Sequence, residues 1–197
     1  MDSFLTITRR SEGIYKEKGS KFLAFAIPVS DVEEVKAIVA AFRKEYYDAR
    51  HVCYAYMLGA DREEFRANDD GEPSGTAGRP ILGQINSAGL TDILILVVRY
   101  FGGVLLGTGG LVTAYKSAAA DAIANNEVVE REVMISLDIE FDYLHLNEVM
   151  SLLKETGTLA QSQEFDTVCR MKVAVRKAIF QFFEQKLRKI ETLIIHE

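Results

Sequence analysis

Apolar and polar positions follow two periods along the chain, and each change of period marks an element. Phe22 to Ile27 is an unbroken apolar run, short enough for a strand buried on both faces, and Pro28 ends it. Ser30-Asp31-Val32-Glu33 has the form of a capping box. Val32, Val35, Ile38, Val39 and Phe42 then recur at helical spacing, which predicts a helix to about Glu45. His51 to Leu58 alternates and is rich in Val and Tyr, so it reads as a second strand. A long polar stretch from Gly59 to about Arg79 reads as a loop, and loops of that length are functional or disordered. Pro80 to Ala88 predicts a short helix closed by Gly89. Thr91 to Tyr100 carries the strongest strand signal, Ile93-Leu94-Ile95-Leu96-Val97-Val98. A glycine-rich segment, Phe101 to Gly110, leads into a helix from Leu111 to about Asn125. The faces of that helix are largely alanine, which suits close packing on a sheet.

Asn125-Asn126-Glu127 breaks the pattern, and a boundary is expected between it and Glu132. Beyond it, Met134 to Phe141 alternates as a half-buried strand, and Leu144 to Glu155 is an amphipathic helix stopped by Gly157. Thr158 to Phe165 and Val168 to Val175 form a hairpin around Asp166-Thr167. A helix from Arg176 to about Lys189 and a strand at Leu193-Ile194-Ile195 follow. This β-α-β-β-α-β order is that of ferredoxin-like domains. The expected fold is α+β in two domains, an N-terminal α/β domain over 1–128 and a ferredoxin-like domain over 133–197.

Composition narrows the function classes. Of 197 residues, 48% are apolar and 26% charged, which fits a folded chain and excludes a wholly disordered one. The longest apolar run is broken by Arg99, so no membrane span is expected. Met1-Asp2-Ser3-Phe4 lacks the basic start and apolar stretch of a signal peptide. With two widely separated cysteines, Cys53 and Cys169, this points to free thiols in the cytoplasm. A net charge of −6 excludes nucleic-acid binding through the whole surface and confines it to a local patch.

Two segments carry candidate chemistry. Arg99-Tyr100-Phe101-Gly102-Gly103 through Gly107-Thr108-Gly109-Gly110 joins a strand to a helix through five glycines. Amides at a helix N-terminus attract anions, and glycines allow close approach. The same glycines also serve a crowded turn in which nothing binds. The segment is neither a Walker loop nor Gly-x-Gly-x-x-Gly. Asn68-Asp69-Asp70-Gly71-Glu72-Pro73-Ser74-Gly75-Thr76-Ala77-Gly78-Arg79-Pro80 holds three carboxylates in four residues. These suit a cation or proton transfer, but equally a solvated turn, and the spacing fails the EF-hand pattern. The hydroxyls of Ser74 and Thr76 are candidates for lining an anion pocket. His51 and Cys53, two apart on one strand face, stand about 7 Å from each other, too far for an obvious nucleophile pair. His145 and His196 have no partners at metal-ligand spacing. No catalytic nucleophile, metal site or cofactor is therefore expected. Lys16, Lys18 and Lys21, with Arg99 and Lys116, are candidates for a basic patch.

Taken together, these motifs resemble the IMPACT family. The residues that carry the resemblance are Lys18-Gly19-Ser20-Lys21-Phe22, Ala49-Arg50-His51 with Cys53 and Ala55-Tyr56, the Asp69 to Gly78 segment, and Val98-Arg99-Tyr100-Phe101-Gly102-Gly103 through Leu106-Gly107 and Gly109-Gly110-Leu111 to Ala114-Tyr115. They cover about residues 1–125, and 133–197 resembles the small C-terminal domain of bacterial members. Thr108 departs from the pattern at a variable position. The resemblance implies an N-terminal domain similar to a ribosomal-protein domain and to domain IV of elongation factor G. It implies a C-terminal domain similar to that factor's domain V. The eukaryotic relatives regulate translation through a kinase pathway, using a further N-terminal domain.

The expected function is a non-enzymatic, translation-related regulator that binds RNA or the ribosome. Arg99, Lys21, Arg50 and Arg79 would meet phosphates, and the glycine loop would allow close approach. The competing expectation is an enzyme or sensor for a phosphorylated small molecule. In that reading the anion sits at Gly107 to Gly110, and Asp69, Asp70 or Glu72 handles a metal or proton.

Overall fold

In the computed structural model, which describes residues 2–196, two strands precede the first apolar run. They are β1 (Ser3–Ile7) and β2 (Ser11–Glu17), ahead of β3 (Ser20–Pro28). The hydropathy pattern hides β2 because its first inward positions are the small Ser11 and Gly13, and only Tyr15 follows them as a large side chain packed on the core. Gly13 is small for a reason. A Cβ there would collide with backbone atoms of Ala118 and Ala122 on the alanine-rich helix.

The next elements follow the expected order, with shifts that have local causes. Helix α1 (Val32–Glu45) begins one residue later in its capping pattern than Ser30–Glu33 implies. Asp31 accepts from the Glu34 N–H at 2.8 Å, and the Glu34 carboxylate returns to the Ser30 N–H at 2.8 Å. Strand β4 (His51–Leu58) is followed by β5 (Glu64–Asn68), inside the segment expected to be a loop. β5 is an exposed edge strand paired antiparallel with β4, so its polar residues carry no inward face to reveal it. Helix α2 (Gly78–Ser87), β6 (Ile93–Tyr100) and α3 (Gly107–Ala124) follow. Because α3 starts at Gly107, three of the five glycines expected in a loop form its first turn. Strand β7 (Val128–Glu132) pairs with β1 in a two-stranded sheet, at the position of the expected domain boundary.

The main sheet has the order β2-β3-β6-β4-β5, every pairing antiparallel. Helix α1 covers one face, packing Val35, Val39 and Phe42 against Phe25, Leu94 and Val98. Helices α2 and α3 cover the other, packing Ile81, Ile85 and the alanines of α3 against Phe22, Ile95 and Val97. Burial on both sides is why β6 is apolar without alternation. Each fully buried Leu or Ile there contributes about 1.5–3 kcal/mol relative to exposure.

The contacts divide the chain into two compact units, one over Phe4–Arg131 and one from Glu132 onward with Asp2 and Ser3. The second unit holds β8 (Met134–Asp142), α4 (Leu146–Thr156), β9 (Leu159–Glu164), β10 (Val168–Arg176), α5 (Phe180–Leu187) and β11 (Ile194–His196). Its sheet order, β11-β8-β10-β9, places the first and third strands at the centre, as in ferredoxin-like folds. Ile139, Phe141, Val149, Cys169, Val173 and Phe183 form its core. Gly157 ends α4 with φ +64°, the left-handed cap that glycine adopts without strain.

Candidate functional site

Register decides which motif residues meet. Arg99 pairs with Phe22 on β3 and with His51 on β4, so these three side chains share the α2/α3 face of the sheet. Lys21 pairs with Tyr100, one position on, and therefore points to the opposite face. The basic patch expected from Lys21 and Arg99 together is thus not formed. Lys18 and Lys21 remain exposed at the β2–β3 hairpin, Lys116 is exposed on α3, and the Tyr100 hydroxyl donates to Asp48 at 3.0 Å.

The acidic segment folds back over the ends of β4 and β6 and spends its first two carboxylates on structure. Asp69 accepts from the backbone N–H groups of Gly75 (2.8 Å), Ala77 (3.0 Å) and Gly78 (2.8 Å). Burial opposes ionisation of Asp69, but these three bonds, with the Arg79 charge, together hold its carboxyl below the ordinary carboxylate value. Asp70 accepts from the Val52 N–H at 2.7 Å and pairs with Arg43 at 2.8 Å. Its carbonyl oxygen lies 2.7 Å from His51 Nδ1. Since a carbonyl only accepts, His51 Nδ1 is the donor in this contact. Thr76 donates to the Pro73 carbonyl at 2.6 Å, whereas Ser74 and Arg79 are exposed.

Glu72, the third carboxylate, is buried. Its Oε1 accepts from Arg99 Nη1 at 2.5 Å and from the Tyr115 hydroxyl at 2.8 Å, and its Oε2 stands 3.8 Å from His51 Nε2. Arg99 is only 5% exposed, with its guanidinium carbon 5.5 Å from the Phe22 ring centre and 5.7 Å from that of Phe101. Cys53 Sγ lies 2.9 Å from the Asp69 carbonyl and 3.3 Å from the Tyr115 hydroxyl. Burial pushes the Cys53 thiol far up, against a smaller opposing pull from the Tyr115 hydrogen bond. Burial likewise raises Tyr115, and both groups stay neutral. His51 and Cys53 bond to different backbone carbonyls and not to each other, so no thiolate nucleophile arises from this pair.

Beside this network opens a cleft of about 420 Å³. Arg50, His51, Glu72 and Arg99 form one side, and Gly107 and Thr108, in the first turn of α3, form another. Phe101, Leu105, Leu106 and Leu111 supply an apolar wall. The glycines divide by purpose. Gly102 packs on the backbone of Gly19 and Ser20, where no Cβ fits. Gly103 (φ +85°) and Gly107 (φ +72°) take left-handed backbone. Gly110 would place a Cβ 3.0 Å from that of Leu106, while a Cβ on Gly109 would meet nothing within 4 Å. Of the residues singled out in the sequence, Arg50, His51, Glu72, Arg99 and Gly107 meet at the cleft. Phe101, Leu105 and Thr108 at the cleft, and Tyr115 in the buried network beside it, are positions to which the sequence alone gives no site role. The visible signal for Tyr115 is a lone aromatic hydroxyl on an otherwise alanine-lined helix face.

Among the described residues, no group of three or more His, Cys, Asp or Glu side chains is arranged to hold a metal ion, and no helix is long and apolar enough to cross a membrane.

Residues 18–123 match the family model described as the Impact N-terminal domain. The chain belongs to the IMPACT family. IMPACT family member YigZ of Escherichia coli (strain K12) is 33% identical over 189 residues, covering 95% of this chain and 93% of that protein. IMPACT family member YvyE of Bacillus subtilis (strain 168) is 34% identical over 173 residues, covering 85% and 80%. A crystal structure of a hypothetical protein, 32% identical, superposes with a TM-score of 0.78 over 99% of this chain and 97% of that one. The span matched by the IMPACT model contains every residue of the cleft.

Proposed function

We propose that this protein acts in translation as a binding protein without chemistry of its own, contacting RNA or the ribosome through the surface around the cleft. Membership of the IMPACT family supports a role in translation. The observation that carries the binding reading is convergence: Arg50 and His51, Glu72, Arg99 and the first turn of α3 come from separate segments and line one opening. That opening offers donors to an anion, and the neutral Cys53 and Tyr115 beside it offer no nucleophile. Arg50 is the exposed cation at the cleft that would meet a phosphate, and Arg99 lines the same opening, paired with Glu72.

With a net charge of −6, such binding is local and strongly salt-dependent. Co-sedimentation with ribosomes and separated subunits, at low and physiological salt, tests it. Wild type is expected in the pellet at low salt, and the Arg50→Glu variant in the supernatant. Arg50 is exposed, so the variant keeps its fold. A wild-type protein that stays in the supernatant at low salt overturns the reading.

A further inference from the structure

We infer that the cleft seats one unpaired nucleobase bearing an amino group, which donates to Glu72 Oε2 and His51 Nε2 while the ring lies against Phe101 and Leu105. The inference rests on the RNA contact proposed above and names the part of the RNA that the cleft recognises.

The cleft presents two adjacent acceptors. The Glu72 side chain is only 3% exposed, and its Oε1 is taken by Arg99 and Tyr115. Its Oε2 accepts no hydrogen bond among the described residues, and His51 Nε2, at 3.8 Å, is too far away for one. His51 uses Nδ1 as donor to the Asp70 carbonyl, so Nε2 is the acceptor nitrogen of the neutral ring. Neither atom is sealed inside the protein. Among the described residues, the buried side-chain polar atoms without a partner are Arg62 Nε and Arg99 Nε alone. Glu72 Oε2 and His51 Nε2 therefore open onto the cleft that both residues line. A carboxylate oxygen on so buried a side chain calls for a donor.

Their spacing and charge select that donor. One atom about 2.9 Å from each acceptor fits between two that stand 3.8 Å apart, and it satisfies both only if it carries two hydrogens. An –NH2 group meets this requirement. A protonated aliphatic amine does not suit the site, because Arg99 already balances Glu72 and Arg50 adds a further positive charge to the lining. The amino groups that stay neutral near pH 7 are those conjugated to a planar system, such as the exocyclic amines of cytosine, adenine and guanine. A carboxylate accepting from such an amine is an established mode of base recognition.

The remaining wall fits the ring. Phe101 is 45% and Leu105 83% exposed, and with Leu106 and Leu111 they give a planar base an apolar surface that a bare carboxamide would leave uncovered. At about 420 Å³ the cleft falls within the range of small-ligand pockets. A free nucleoside and an unpaired residue of an RNA strand share this chemistry.

Fluorescence anisotropy with labelled uridine heptamers that differ only at the central base tests this. Cytidine is compared with uridine there, and adenosine and guanosine with inosine, so each comparison adds an amino group at constant length and backbone charge. At least one amino-bearing strand is expected to bind wild type about fivefold or more tightly than its counterpart. In Glu72→Gln, Arg99 and Tyr115 hold the amide oxygen, the –NH2 faces the cleft, and the preference is expected to vanish or reverse. Leu105→Ser removes part of the wall at a site too exposed to affect folding and is expected to weaken every strand. Calorimetric titration with the free nucleosides separates the two sources. Binding of a nucleoside assigns a free ligand, and a preference among strands alone assigns RNA; either supports the inference. Equal affinity within every comparison with no nucleoside bound, or a preference unchanged in a folded Glu72→Gln protein, overturns it. So does a Leu105→Ser protein that binds as wild type does. Ribosome co-sedimentation of the same proteins keeps the two readings apart. Sedimentation without base preference or nucleoside binding removes the cleft inference alone, and base preference without sedimentation removes the translation reading alone.

Discussion

Arg99 and Glu72 form a buried ion pair 2.5 Å long, between the end of β6 and the acidic segment that folds over it. Tyr115 donates to the same carboxylate oxygen, so α3, β6 and the acidic segment are tied at one atom. Removing one partner strands the other charge out of water. Arg99→Ala is expected to cost about 3–5 kcal/mol, and the Arg99→Met, Glu72→Gln pair clearly less. Urea denaturation of the single and double variants measures the difference. Equal losses would show that the pair does not hold the acidic segment down.

Two glycines seven positions apart should respond in opposite directions. Gly102→Ala forces its Cβ into the Gly19–Ser20 backbone, an overpacking with a cost of about 1–3 kcal/mol or more. Gly109→Ala has open space and a helical position, so it is expected to stabilise the protein by up to about 1 kcal/mol. Thermal and chemical denaturation of the two variants decide it. A Gly102→Ala protein as stable as wild type would contradict the close approach of the β2–β3 hairpin to the segment after β6.

This contrast also shows what the sequence makes legible. β3, β4 and β6 announce themselves because both faces of the sheet are covered and their runs are apolar. β5 does not, since an exposed edge strand of Glu64-Phe65-Arg66-Ala67-Asn68 carries no inward stripe, and β2 hides behind Ser11 and Gly13. The residues of the site are visible as motifs, but their grouping is not. Whether Arg99 joins Lys21 or Glu72 depends on a one-residue register between β3 and β6 that no local pattern encodes. The glycine-rich segment likewise conceals that α3 begins at Gly107, because glycine is a poor helix former and only tertiary contacts settle the boundary.

The thiols should be inert in the folded state. Cys53 and Cys169 are both buried, and burial holds the Cys53 thiol protonated well above neutral pH. A disulfide reagent such as Ellman's should label neither residue in native protein near pH 8, and both after denaturation. Rapid native labelling of Cys53 would mean that the acidic segment opens freely, since Asp69 and Tyr115 close over its sulfur.

Acid should loosen the acidic segment through Asp69. Its folded-state pKa lies below the ordinary carboxylate value, because three backbone N–H bonds and Arg79 outweigh the effect of burial. The unfolded chain therefore takes up this proton at a higher pH than the folded one. The stabilisation is complete above the unfolded value of about 4 and is lost as pH falls through the lower folded value. Asp69→Asn removes that dependence and also weakens the three bonds, at an expected cost of about 1–3 kcal/mol near neutral pH. Urea unfolding of wild type and variant between about pH 7 and pH 3 should give two stability curves that converge on the acid side, as protonation of the wild-type carboxyl removes its advantage. Curves that run parallel down to pH 3 would show that Asp69 is not the group through which acid acts on this segment.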